Sequence, residues 1–282
     1  MNWIEEWKRR QDRAILYQDA ANDGEESYWS ENARSYDRKR TADGALEHDI
    51  DVICGLLEPD MTVLEIGAGT GALTLPLSCK VKHITAVEPS PSMAEVLKEK
   101  LSHNNVRNVE LVPSKWQDAD VEACDVVIAS GCLYVFYDIE VALRKMLEKA
   151  KRKLILVSGD WGYWSPYHEA ADFLGLPQVT VAPGYVCLYN VMVELGLHSS
   201  MAVNKIERCL TYDSIQQMTE SWVKRLKVPQ EKRRQLDEYL KEKAVILPSG
   251  EVSMGQTETI SAVIWFDKDF LKCDSPGALS AV

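Results

Sequence analysis

Residues 63–71 read VLEIGAGTG, an apolar run that leads directly into a turn with three glycines. The run predicts a buried strand, and Ala72 to Leu77 predict the start of a helix. Glycine suits a strand-to-helix reversal because it adopts positive φ angles, and because no side chain then blocks a ligand lying against the backbone. The stretch therefore predicts a nucleotide-binding turn in an α/β domain.

A second apolar strand, residues 84–88, ends in the carboxylate of Glu88. A carboxylate there is placed to accept both ribose hydroxyls of an adenosine whose tail crosses the glycine turn. The glycines are spaced G-x-G-x-G, and Glu65 stands two residues before the first of them. Its carboxylate would repel the pyrophosphate of a dinucleotide but would suit the ammonium of a methionine tail. The pattern favours S-adenosylmethionine over a dinucleotide, with a purely structural tight loop as the alternative.

These segments resemble the class I S-adenosylmethionine-dependent methyltransferases. Residues 63–71 are similar to the first motif of that family, and residues 86–93, AVEPSPSM, to the segment after it, including the residue that packs on the adenine. Residues 124–130, CDVVIAS, resemble its fourth strand, with residues 131–134, GCLY, at the mouth. The resemblance covers roughly residues 50–160 well and is specific for cofactor and fold.

The resemblance implies an α/β fold: a Rossmann-like, seven-stranded, mostly parallel sheet with helices on both faces, a last strand that is antiparallel, and an N-terminal helical cover. A length of 282 residues suits one such domain with additions. We divide the chain into the cover (1–50), an S-adenosylmethionine-binding methyltransferase domain (51–270) with a helical insertion near 165–200, and a loosely ordered tail (271–282).

The predicted cofactor-binding residues stand at the mouths of the first four strands. After the third strand the family often carries an acidic residue near the adenine edge, whereas this chain carries Trp116 and Gln117. An indole could flank the base and an amide could read its edge. The full set is Glu65, Gly67, Ala68, Gly69, Thr70, Gly71, Glu88, Pro89, Met93, Trp116, Gln117, Ser130, Gly131 and Tyr134.

Aromatic side chains in two segments are predicted to contact the methyl acceptor. Tyr28 and Tyr36 lie near one face of a helix-prone segment, and Trp161 and Trp164 follow the fifth strand. Stacking or cation–π contacts would hold a flat or cationic group there, with packing on the core as the equal alternative. His168 is the candidate general base, against an exposed position at the start of a helix.

Composition predicts the partners. A formal net charge of −11 without a basic block argues against nucleic acid as a substrate. Nothing resembles a signal peptide, and no apolar run reaches membrane-spanning length, which predicts no membrane partner and a cytoplasmic location. Seven cysteines without a C-x-x-C pair read as reduced thiols, and no metal-ligand pattern is indicated. An apolar helix predicted at 185–197 lines either a substrate pocket or a dimer interface, so a monomer and a homodimer both stay open.

The leading functional hypothesis is methyl transfer from S-adenosylmethionine to a small-molecule acceptor by in-line displacement. The sulfonium methyl is already activated, so holding the acceptor close, collinear and dry supplies much of the catalysis. A protein methyltransferase, and a non-catalytic or NAD-type nucleotide binder, remain as alternatives.

Overall fold

Eight β-strands form one sheet in the residues that the computed structural model describes, which are 1–13, 26, 29–30, 33–34, 45–160, 166–177 and 183–268. The strands are β1 (Thr62–Ile66), β2 (His83–Val87), β3 (Val109–Val112), β4 (Cys124–Ser130), β5 (Ala150–Asp160), β6 (Ser200–Tyr212), β7 (Val245–Ile246) and β8 (Val252–Asp267). Their order is β3-β2-β1-β4-β5-β8-β6, and the two-residue β7 also pairs with β8.

Nine α-helices accompany the sheet within the same residues. They are α1 (Trp3–Arg13), α2 (Ala45–Cys54), α3 (Thr74–Ser78), α4 (Pro91–His103), α5 (Ile139–Lys149), α6 (Pro166–Phe173), α7 (Tyr185–Glu194), α8 (Ile215–Leu226) and α9 (Arg233–Lys243). None of these described helices combines the length and the apolar character needed to cross a membrane.

Strands β1 to β5 pair in parallel, and β8 lies antiparallel between β5 and β6. This arrangement confirms the predicted Rossmann-like sheet with seven principal strands and an antiparallel last strand. The central strands are apolar along their length because both faces of a parallel sheet are covered. Only the short β7 was not predicted, since two exposed residues leave no hydrophobic pattern.

Two core layers cover the two faces of the sheet. Leu64, Val127 and Leu156 belong to one layer, to which α1, α5 and α7 contribute. Val63 and Ile155 belong to the other layer, to which α2, α3 and α4 contribute. Neighbouring residues of one strand thus enter opposite layers, as the alternation of side chains along a strand requires.

A two-stranded ribbon extends beyond the carboxyl ends of the parallel strands. Strand β5 stops at Asp160, opposite Ile260, whereas β6 stays paired with β8 until Tyr212 meets Val252. Residues of α6, α8 and α9 form a third hydrophobic cluster on this ribbon, with the fully buried Trp222 in it. Within the predicted helical insertion near 165–200, which stays a prediction, α6 packs in this cluster and α7 packs in the main core.

The described part of the N-terminal region is tied to the loop after β4. Trp7 is fully buried, and its indole N–H donates to the carbonyl of Phe136 at 2.8 Å. Lys8 forms an ion pair with Asp138 at 3.0 Å in the same loop. Helix α1 therefore holds the segment that follows the fourth strand.

We expect Trp7→Phe to lower the free energy of unfolding by about 1–3 kcal/mol, because the buried carbonyl of Phe136 loses its donor while most of the apolar contact is kept. Urea denaturation of the purified protein measures the change. The matched control is Trp3→Phe, a half-buried tryptophan of the same helix, for which we expect a change within about 0.5 kcal/mol. Equal effects of the two substitutions would contradict the assigned hydrogen bond.

Candidate functional site

A cavity opens at the carboxyl ends of β1, β2 and β4, which is the edge where open α/β sheets bind their ligands. Twelve of the fourteen predicted cofactor-binding residues line it. They are Gly67, Ala68, Gly69, Thr70, Glu88, Pro89, Met93, Trp116, Gln117, Ser130, Gly131 and Tyr134. The remaining two, Glu65 and Gly71, are not brought to the cavity wall.

The three glycines of the turn all have positive φ angles, yet they face different surroundings. A Cβ atom on Gly67 would lie 2.7 Å from the Cβ of Cys132, and one on Gly71 would lie 2.5 Å from Cδ1 of Leu97. A Cβ atom on Gly69 would meet nothing within 4 Å, because Gly69 faces the cavity. Gly71 thus permits helix packing, whereas Gly69 leaves room for a ligand.

Glu88 connects the end of β2 to the glycine turn. Its side chain is only 6% exposed, its Oε2 accepts the backbone N–H of Gly69 at 2.7 Å, and its Oε1 accepts that of Ser90 at 2.8 Å. A carboxylate offers about four lone-pair positions and can accept several donors at once. The Lys100 ammonium holds the same turn by donating to the carbonyl of Thr70 at 2.9 Å.

Glu65 connects the two elements that flank the glycine turn, and its contact with the cofactor stays a prediction. Its side chain is 2% exposed, and its Oε2 accepts the hydroxyl of Thr74 at 2.7 Å. Thr74 is the first residue of α3, so this contact connects the strand before the turn to the helix after it. Glu65 is not among the residues that line the cavity.

Trp116 forms part of the cavity wall as a core residue. Its ring is 3% exposed, and its indole N–H donates to the carbonyl of Ala142 in α5 at 3.3 Å. Gln117 is exposed and lines the cavity, as does the neighbouring Lys115. Of the two residues predicted to contact the adenine base, Gln117 has the more exposed side chain.

Several lining residues were not predicted from the sequence. They are Trp29, Ile66, Ala72, Val87, Lys115, Cys132, Val135 and Phe136. The last three belong to the segment after β4, where the Sγ of Cys132 contacts the carbonyl of Ile66 at 3.1 Å and the side chain of Gln11 donates to the carbonyl of Tyr134. Apolar residues after a strand carry no local sequence signal for a place in a cavity wall. Their place there becomes evident only from the packing of α1 on this segment.

Trp29 brings the N-terminal region to the cavity. It packs with Ala33 against Met93 at the start of α4. Nearby, Oε1 of Glu26 accepts the Ser92 backbone N–H at 3.1 Å and the Ser92 hydroxyl at 2.5 Å. Burial opposes ionisation of this carboxyl, but hydrogen bonds from serine side chains and backbone outweigh it, and the pKa of Glu26 lies below its ordinary value. These contacts connect the described residues of the N-terminal region to the start of α4, and the helical cover over residues 1–50 stays a prediction.

The predicted acceptor-binding residues Tyr28, Tyr36, Trp161 and Trp164 lie outside the described residues. His168 is half-buried in α6 and is not among the residues that line the cavity. Its neighbours Tyr167 and Ala170 pack in the cluster on the ribbon. The structure therefore does not bring the candidate general base to the cavity.

Within the described residues, no three or more His, Cys, Asp and Glu side chains are arranged to hold a metal ion. The six cysteines in this part of the chain form no disulfide bond.

Comparison with known proteins agrees with this geometry. Residues 63–154 match the family model described as a methyltransferase domain. The solved structure of YcgJ from Bacillus subtilis superposes with a TM-score of 0.54 at 17% identity and covers 79% of this chain and 98% of its own. The BH2331 protein of Bacillus halodurans C-125 gives 0.56 at 16% identity, covering 80% and 99%. These likenesses show the fold.

Residues 63–154, about a third of the chain, are therefore similar to methyltransferase domains. Among curated relatives, a probable ribosomal RNA small subunit methyltransferase A of Methanosphaera stadtmanae is 31% identical over 36% of each chain. A malonyl-acyl-carrier-protein O-methyltransferase of Anoxybacillus flavithermus is 31% identical over 40% of this chain and 38% of its own. The chain thus matches little more than a third of the length of these relatives.

The two glycines yield a matched prediction. Gly69→Ala and Gly71→Ala each place a side chain at a left-handed φ angle, which costs about 1–2 kcal/mol. We expect Gly71→Ala to lose about 1–3 kcal/mol more in unfolding free energy because its Cβ meets Leu97. We expect Gly69→Ala to lose affinity for S-adenosylhomocysteine, and Gly71→Ala to keep it per folded molecule. Calorimetric titration measures the affinity, and urea denaturation measures the free energy of unfolding. If Gly71→Ala lost the affinity and Gly69→Ala lost the greater stability, the assignment of Gly69 to the cavity and of Gly71 to helix packing would be refuted.

Proposed function

We propose that the cavity binds S-adenosylmethionine and that the protein transfers its methyl group to a small-molecule acceptor. The observation that supports this most directly is the meeting of Gly69 and Glu88 at one wall of the cavity, within a segment that matches a methyltransferase domain. Gly69 leaves the backbone open to a ligand, and Glu88 adds a carboxylate acceptor. Both are features that an adenosine with a cationic tail requires.

Each wall of the cavity suits one part of the cofactor. Glu88, at the end of β2, would accept the ribose hydroxyls with its carboxylate oxygens. The turn from Gly67 to Thr70 would lie along the methionine tail. Pro89 and Met93 would pack on the adenine, and Gln117 would face the edge of the base. The rest of the wall would be formed by Trp116, Ser130, Gly131 and Tyr134.

S-adenosylmethionine supplies a methyl group that its positively charged sulfur already activates. The chain then has to hold the acceptor in line and exclude water. Val135 and Phe136 give the cavity an apolar wall next to Tyr134. The described lining residues include no histidine, and their single carboxylate, Glu88, accepts two backbone N–H groups. We therefore propose an acceptor whose nucleophile is reactive without a dedicated base: a thiol, an amine or an ionised hydroxyl.

The net charge of −11 and the aromatic and apolar lining favour a small acceptor over a polyanion. The comparisons do not support the exclusion of nucleic acid, because relatives of the matched segment include ribosomal RNA methyltransferases and a ribosomal protein L11 methyltransferase of Clostridium perfringens. A ribosomal RNA or protein acceptor is therefore the second candidate.

The first test compares ligands. We expect S-adenosylmethionine and S-adenosylhomocysteine to raise the melting temperature of the protein in a concentration-dependent way, and NAD to leave it unchanged, because a ligand stabilises the folded state only when it binds it. Methyl-labelled S-adenosylmethionine is then incubated with a small-metabolite fraction, with ribosomal RNA and with protein extract. Label in the small-metabolite fraction supports the proposal, and label confined to RNA or protein overturns the choice of acceptor.

Glu88→Gln tests the ribose contact. The amide has one acceptor oxygen, and its NH₂ group would face either the N–H of Gly69 or that of Ser90. Charge-assisted bonds are worth about 1.5–3 kcal/mol each, so we expect S-adenosylhomocysteine to bind about ten- to several-hundredfold more weakly. The matched control, Glu122→Gln, changes an exposed carboxylate outside the cavity and should leave calorimetric affinity unchanged. An effect below threefold in Glu88→Gln would place the adenosine elsewhere.

A further inference from the structure

Lys145 is half-buried in α5, and its ammonium points at the loop that follows β3. It donates to the backbone carbonyls of Trp116 at 2.7 Å, Gln117 at 2.9 Å and Ala119 at 2.9 Å. An ammonium has three protons to donate, and these three acceptors match that number. The same nitrogen lies 4.6 Å from the centroid of the Trp116 ring, within the range of a cation–π contact.

The Lys145 ammonium does not line the cavity, but it binds the backbone of residues that form one of its walls. Lys115, Trp116 and Gln117 line the cavity. Within the loop, Asp118 and Ala119 donate their backbone N–H groups to the carbonyl of Lys115 at 3.0 and 2.9 Å. The backbone carbonyls of Trp116, Gln117 and Ala119 accept hydrogen bonds from Lys145. The loop therefore takes its shape from one short turn and from a side chain that is distant in sequence.

We infer that Lys145 is a positioning residue for the adenine side of the cofactor site, an inference that rests on the proposed function. The described residues contain no cis peptide bond, and in a trans peptide the C=O and the following N–H point in opposite directions. Holding the Trp116 carbonyl on the ammonium thus turns the N–H of Gln117 away from Lys145. The orientation of the loop is then set before any ligand arrives, which lowers the entropy cost of binding.

Lys149 provides a matched comparison on the same helix. Its ammonium also donates to a backbone carbonyl, that of Val121 at 2.5 Å. Val121 is buried but does not line the cavity. Removing either ammonium deletes a lysine-to-carbonyl contact from α5, and only Lys145 holds residues of the cavity wall.

The experiment measures binding of two ligands to Lys145→Met and Lys149→Met by calorimetry. The ligands are S-adenosylhomocysteine and S-inosylhomocysteine, which differ only in the base. We expect Lys145→Met to bind S-adenosylhomocysteine at least tenfold more weakly than the parent, and the preference of the parent for adenine over hypoxanthine to fall toward one. A general loss of stability would not change this ratio. Lys149→Met should stay within threefold of the parent for both ligands.

The inference is overturned alone if folded Lys145→Met keeps the parent's affinity and base preference, or if Lys149→Met shows the same losses. It is overturned together with the proposed function if the parent protein does not bind S-adenosylhomocysteine. Lys145→Arg, which retains a cation with several N–H donors, should recover part of the base preference. Lys145→Gln replaces Lys145→Met if the latter does not fold, with the same expected direction.

Discussion

The hydrogen bond from the backbone N–H of Gly69 to the carboxylate of Glu88, 2.7 Å long, is the contact on which the candidate site depends. It joins the turn after β1 to the end of β2 across the carboxyl edge of the sheet. A buried carboxylate is costly unless it is hydrogen-bonded, and Gly69 and Ser90 meet that requirement with backbone donors. Because these donors belong to the backbone, the turn and the carboxylate are held in place together.

The walls of the cavity are supported from outside by side chains that do not line it. Lys100 in α4 holds the carbonyl of Thr70, Lys145 in α5 holds the loop after β3, and Trp7 in α1 holds the carbonyl of Phe136. Each contact satisfies a backbone carbonyl in a loop, where no strand or helix partner exists. The cavity is therefore formed by loops whose conformations are set by three helices packed on both faces of the sheet.

The part of the molecule beyond the parallel strands has its own small core. The ribbon of β6 and β8 continues past Asp160, and Trp222 is fully buried in the cluster that α6, α8 and α9 form on it. The indole N–H of Trp222 donates to the hydroxyl of Tyr212 at 3.1 Å, which connects the helices to the ribbon. The ribbon rises from the same edge of the sheet as the cavity, so the additions that distinguish this chain from a bare nucleotide-binding domain lie on its ligand-binding side.

The sequence by itself determined the glycine turn, the carboxylate at the end of β2 and the positions of the seven principal strands along the chain, because these are signals of local conformation and hydrophobic period. It did not determine which way each motif residue faces: Gly71 packs against Leu97 and Glu65 binds Thr74, although both belong to the same short motif as Gly69. Nor did it identify Trp29, Phe136 or Lys145, whose roles come from partners far away in the chain. Tertiary structure alone decided these, because a side chain's direction depends on which helix packs beside it, and that contact has no counterpart in the neighbouring residues.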